Sequence, residues 1–439
     1  MLAAGAGLLA GLAGCGGRFG REEDDGISRI TDEDTPYPET QPDAGGTPTA
    51  PPERLAGDRL TGSVPTFQYD CRNTGATDAS GPDGTPSLVG LAEVPGAIRS
   101  PPVVAGGVAY LGGLLGTLVA IDTGSGEVLW SRGGRGREYS GVRDTPAVAG
   151  DRVYHATERG TVVARTREGE RIWTFTADEP QFDPDDEGRP IYGTDPVVAD
   201  GRVYVSRGDG LFAVDARDGT QRWKIPVTRG GIGAPAAADG RVFYTRSGGS
   251  IGAADAATGE PLWAYNADYG ASQRGVTVGD GVVYAVMRDP DAVQPEADEG
   301  EGSRVTAAAV DAESGEERWT FEAGAVASGS TALAGGTLYI PGERGTLYAV
   351  DAASGEERWR RDLGGSVQFS PVVADGVAHV VVRAERPTEG APEPPTLQAI
   401  SVDGERRWSV DLRFPPEAAP VVLDGHVLVA ADRRMAVYD

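Results

Sequence analysis

The chain has 439 residues, a formal net charge of −26 and a hydrophobic fraction of 39%. With 66 acidic residues against 40 basic ones, and Lys224 the only lysine, the surface repels nucleic acid and anionic headgroups, so no nucleic-acid partner is expected. Two cysteines, Cys15 and Cys71, are too few for a disulfide framework.

In chain order, Leu2 to Ala13 is an apolar stretch too short to span a bilayer. It ends in Leu12-Ala13-Gly14-Cys15, which resembles the lipobox of a lipoprotein signal. Residues 1–14 are therefore expected as a signal peptide, with Cys15 lipidated and the protein held to the outside of the cell membrane. No basic residue precedes Leu2; a start site further upstream, with a twin-arginine segment, would explain that. Lipid on Cys15 would leave Cys71 without an intramolecular partner, as a small buried apolar residue. Residues 15–62 are rich in Gly, Pro, Thr, Asp and Glu and read as a disordered tether.

From residue 63 to 439 a repeat governs the sequence. All seven tryptophans, Trp130, Trp173, Trp223, Trp263, Trp319, Trp359 and Trp408, recur at intervals of 40 to 56 residues. Five of them close the phrase A-x-D-x-x-x-G-x-x-x-W, as in Ala120, Asp122, Gly126 and Trp130. Arg165 replaces the Asp before Trp173, and the turn before Trp408 is one residue shorter. The Asp can cap the turn, the Gly can supply positive φ, and the Trp can dock between neighbouring units. Upstream of each phrase lies a two-residue turn such as Asp200-Gly201 between β-branched and aromatic runs, the signature of a β-hairpin. Each unit thus reads as four antiparallel strands.

There are eight such turns against seven tryptophans. The last unit, from Pro420, holds three strands. Counting the usual Trp-to-Pro interval back from Pro102 reaches Gly90, so Leu88 to Val94 is predicted as the Trp-less outer strand of an eighth blade. Closure of that kind removes an exposed sheet edge. The chain is therefore expected to be an all-β, eight-bladed propeller and a monomer.

These phrases resemble the tryptophan-docking motif of the PQQ-type β-propeller repeat family, which includes quinoprotein alcohol dehydrogenases and the outer-membrane assembly lipoprotein BamB. The resemblance implies a propeller over residues 64–439 and leaves function open between a binding scaffold and a dehydrogenase. The acid-rich, lysine-poor composition resembles that of haloarchaeal proteins and implies dependence on high salt.

The alternating arrangement puts both short turns of every unit on one rim and all long connections on the other, so the long-loop face is the candidate binding face. Its polar residues near the funnel are Tyr139, Arg143, Asp144, Tyr192, Asp195, Gln273, Arg274 and Gln368. The stretch Asp183-Pro184-Asp185-Asp186-Glu187-Gly188 resembles the start of a calcium loop, with Asp183, Asp185 and Glu187 as alternating oxygen ligands. Position twelve is Thr194 rather than Glu, so the loop is incomplete. The dehydrogenase branch implies an adjacent Cys-Cys pair beside PQQ and Ca²⁺, and this chain has no such pair. The favoured expectation is a non-catalytic module for a protein or surface-polymer partner without a cofactor. The alternative is a PQQ-dependent dehydrogenase of alcohols or sugars.

Overall fold

The computed structural model describes residues 55, 59–60 and 62–439, except 114–116, 134–144, 158–160, 178–194, 208–209, 227–232, 247–249, 267–269, 272–274, 289–304, 324–328, 343–344 and 384–392. Eight four-stranded antiparallel blades follow one another around an axis. Blade 1 runs Val103–Ala105, Val108–Gly113, Thr117–Asp122 and Val128–Arg132 from the axis outward, and blades 2 to 7 repeat the order. In blade 8, Val421–Leu423, His426–Ala431 and Arg434–Tyr438 are joined on the outside by Leu88–Glu93, which pairs antiparallel with Arg434–Tyr438.

Seven of the eight two-residue turns adopt positive φ at both positions, as in Asp200 at 48° and Gly201 at 72°, or Asp375 at 44° and Gly376 at 71°; in Gly150-Asp151 only the glycine does. This is the hairpin geometry whose twist matches that of the strands. The Asp of each phrase caps its own turn: the Asp351 carboxylate accepts from the Ala353 and Ser354 N–H groups at 3.1 and 2.9 Å. Arg358 also donates to it at 2.7 Å, and Arg318 repeats that contact with Asp311 at 2.6 Å. These arginines hold both carboxyls well below the usual carboxylate range, with the turn N–H groups adding to the effect.

Six of the seven Trp rings, all but Trp408, lie against the turn of the next blade. A Cβ added to Gly259 would come within 2.6 Å of the Trp223 ring, and one on Gly315 within 2.7 Å of Trp263. Glycine is required there twice over, by φ of 75° and 77° and by the ring itself. The indole N–H then donates to a carbonyl of that turn, Trp223 to Ala256 and Trp319 to Ala352, both at 3.1 Å. Tyr204 and Tyr284 donate to the same two carbonyls, which joins adjacent blades twice at one atom. The turn before Trp173 is one residue shorter: Ala164 pairs with Trp173, so Thr166, and not Arg165 as the spacing predicts, stands where the other turns have Asp; Trp130 still donates to this turn, at Arg167, but the buried Tyr110 hydroxyl has no hydrogen-bond partner.

No eighth Trp exists to dock on the blade 1 turn. Leu55 takes that place, lying against Gly90 on one side and Gly126 on the other, and is 8% exposed. It thereby bridges the seam where the ring closes.

Candidate functional site: the axial channel and the long-loop face

Much of the long-loop face lies outside the described residues. That holds for Tyr139, Arg143, Asp144, Tyr192, Gln273 and Arg274, for the calcium-like trio Asp183, Asp185 and Glu187, and for Cys15. Of the candidate face, Asp195 and Gln368 are described. The Asp195 carboxylate accepts from the Thr145 N–H and so ties the start of blade 3 to that of blade 2. Gln368 is half-buried between Val367 and Phe369, at the entry to blade 7. The two are not brought into contact.

Beside Gln368 stands a cluster that the sequence pattern did not reveal. Arg383 lies over the Phe369 ring at 5.3 Å and donates to the Pro416 carbonyl. It is 4.0 Å from Glu417, which pairs with Arg99. Blades 7, 8 and 1 meet here, on the loop side, around an aromatic ring and three charges. A half-exposed ring held by a guanidinium is a surface suited to a protein or sugar contact.

Sequence reading assigned no role to residues 63–80, and they occupy the axis. Ser63–Val64 pairs with Val104 and Ala105 of blade 1, and Ala76–Thr77 pairs parallel with Val373 and Ala374 of blade 7. Between them, Gln68, Tyr69 and Asn73 adopt left-handed φ of 49°, 74° and 56°. Such geometry costs about 1–3 kcal/mol per residue unless surrounding contacts impose it. Here the contacts do. The Asn73 amide nitrogen donates to Pro235 and Val276 at 2.9 and 3.0 Å, joining blades 4 and 5. Gln68 donates to Thr331 at 3.0 Å, and the Tyr69 hydroxyl donates to the Val422 carbonyl while accepting from its N–H. Burial drives the Tyr69 phenol far above its ordinary value. The Asp70 carboxylate, raised by burial, shapes the segment by accepting from Arg72 and Thr74.

With both amide nitrogens engaged by carbonyls, the oxygens Oε1 of Gln68 and Oδ1 of Asn73 are fixed in direction, buried and without a hydrogen-bond partner. Across blades 5 and 6 the Thr277 and Thr331 hydroxyls contact each other at 2.9 Å. Among the described residues no three His, Cys, Asp or Glu side chains converge as metal ligands.

Cys71 is buried, and its carbonyl accepts from Ala237, but the thiol is disulfide-bonded rather than unpartnered. The expectation of a lone thiol rested on assigning the chain's other cysteine to lipid. The partner lies outside the described residues.

A family model described as "Outer membrane protein assembly factor BamB", built on PQQ-type repeats, matches residues 91–181, 160–301 and 301–438. The chain belongs to this family. BamB of Xanthomonas campestris is 34% identical over 110 residues, 24% of this chain and 27% of that protein. The serine/threonine-protein kinase AfsK of Streptomyces coelicolor is 29% identical over 203 residues, 44% of this chain and 21% of the kinase. The chain thus spans about a quarter of the length of these curated relatives. Among solved structures, BamB of Moraxella catarrhalis superposes with a TM-score of 0.59 at 14% identity, covering 81% of this chain and all of that one. A europium-containing methanol dehydrogenase gives 0.62 at 14%, over 84% and 89%. Likeness at that identity speaks to the fold alone.

Proposed function

We propose that this propeller is a non-catalytic extracytoplasmic binding module that presents its long-loop face to a protein or surface-polymer partner. The observation that carries the reading is the axial segment: the chain's own residues 63–80 fill the channel and are entered from the short-turn rim, where Arg59 and Leu60 meet Asp122 and Thr123, so a partner is expected on the opposite, long-loop face. Membership of a family described by an assembly factor supports a protein partner. Affinity capture from solubilised membranes at high salt tests this, with recovery of a defined partner expected and recovery of bound quinone without a partner opposing it.

Lipid on Cys15 has its own test. A thioether at Cys15 and a disulfide at Cys71 cannot coexist within one chain holding two cysteines. Intact mass of the membrane-extracted protein with and without reductant decides between them: added lipid mass on Cys15 supports the anchor, and an unlipidated chain that gains the two hydrogens of a reduced disulfide contradicts it.

A second reading, a PQQ-dependent dehydrogenase, is favoured by 33% identity over 140 residues to the quinohemoprotein alcohol dehydrogenase of Comamonas testosteroni, 28% of this chain and 19% of that enzyme. Dye-linked oxidation of alcohols or sugars after adding PQQ and Ca²⁺ would establish it.

A further inference from the structure

We infer that the channel wall is a peptide-binding site built from the inner strands of the blades and the residues flanking them, and that residues 63–80 are its ligand, bound in cis and sealing the channel. The inner strand of a propeller blade has one free edge, whose N–H and C=O groups must find partners. Here this segment supplies them around the full circle. Ser63 and Val64 pair with blade 1. Pro65 accepts from Val148 of blade 2, and Thr66 donates to Pro196 of blade 3. Cys71 accepts from Ala237 of blade 4 at 2.7 Å, Arg72 from Val278 of blade 5 at 2.9 Å, and Thr74 from Leu333 of blade 6 at 2.7 Å. Gly75 accepts from Val373 of blade 7 at 2.8 Å, and Ser80 from Gly425 of blade 8 at 2.7 Å.

Most of these bonds run from a blade N–H to a carbonyl of the segment, which is strand-addition chemistry and depends little on side-chain identity. Specificity comes from the three side chains already described. Asn73 reads two carbonyls on adjacent blades, Gln68 reads one, and Tyr69 satisfies both backbone groups of Val422. The entry and exit also mark the segment as a separable unit. Before it, Arg59 pairs with Asp122 and the Leu60 N–H donates to the Thr123 hydroxyl at 3.0 Å, both on the short-turn rim. After it, Asp83, Gly84 and Thr85 are exposed before the chain reaches the closing strand.

The test cuts this exposed link. A protease site inserted between Asp83 and Gly84 of the full-length protein allows cleavage in the folded state, and both cysteines lie on the same side of the cut. Residues 1–83 are expected to stay bound through size-exclusion chromatography, and the doubly substituted Tyr69→Phe, Asn73→Ala protein to lose the fragment at least tenfold faster. Release of the unsubstituted fragment on cleavage, or equal retention by the substituted one, overturns the inference. Should the double substitution fail to fold, hydrogen exchange on the uncut protein decides. The amides of Val148, Ala237, Val278, Leu333 and Val373 are expected to exchange as slowly as those of the second strands, and exchange at the rate of exposed amides overturns the inference.

Discussion

His155 and His379 carry a sharp residue-scale consequence. Burial pushes His155 down to about 3, helped by the nearby Arg165, and His379 down to about 4. Both are neutral in the folded protein, whereas in the unfolded chain they protonate near their ordinary value of about 6.5. The unfolded state therefore binds more protons as pH falls below that value, and stability is lost progressively from there down to the folded values. The melting temperature is expected to drop between pH 6.5 and 4, before most carboxylates titrate, and His379→Gln to flatten that slope; thermal melts across the interval check it. Asp311 and Asp351 act lower on the scale. Their folded values are depressed, so the stability they provide is present above the carboxylate range and lost as pH falls through it. Removing one cap by Asp351→Ala is expected to lower the denaturant midpoint, because the turn N–H groups lose their acceptor, measured by denaturant unfolding.

At the scale of the element, docking of the Trp on the next blade's glycine is the unit of cohesion. Trp223→Ala empties the seam between blades 3 and 4 and is expected to cost about 3–5 kcal/mol. Leu55→Ala should act in the same way at the seam between blades 8 and 1, at about 2–5 kcal/mol; urea unfolding of both variants compares them, and a neutral Leu55→Ala would mean that this seam is held by the closing strand alone. Blade strands, turns and docking were legible in sequence because each recurs. The Asp-Gly pairs sit where both φ values are positive, and the eight-to-seven mismatch located Leu88–Glu93. Leu55, Gln68, Tyr69 and Asn73 were not legible, since each occurs once and its partners lie as far as 353 residues away. The same holds for Arg99, Arg383 and Glu417: ion pairs between loops carry no period. The break in the repeat before Trp173 was visible in sequence, but counting back from the Trp put Arg165 at the Asp position, where the shorter turn places Thr166.

For the whole molecule, charge and tethering dominate. A net charge of −26 repels itself, and lowering salt from 1 M to 0.01 M lengthens the Debye length from about 3 Å to about 30 Å. The melting temperature is expected to fall across that range, and an unchanged value would refute dependence on high salt. The two faces of the disc are unequal, since the chain enters the axis at the rim of short turns, where Arg59 pairs with Asp122 and Leu60 donates to Thr123. Site-specific photocrosslinking in intact membranes tests this most directly, with the crosslinker at Gln368 on the loop side or at Asp239 on the turn rim. The expected result is a discrete adduct from Gln368 and none from Asp239; an adduct from Asp239 alone, or none from either position, would contradict a binding module that works through its long-loop face.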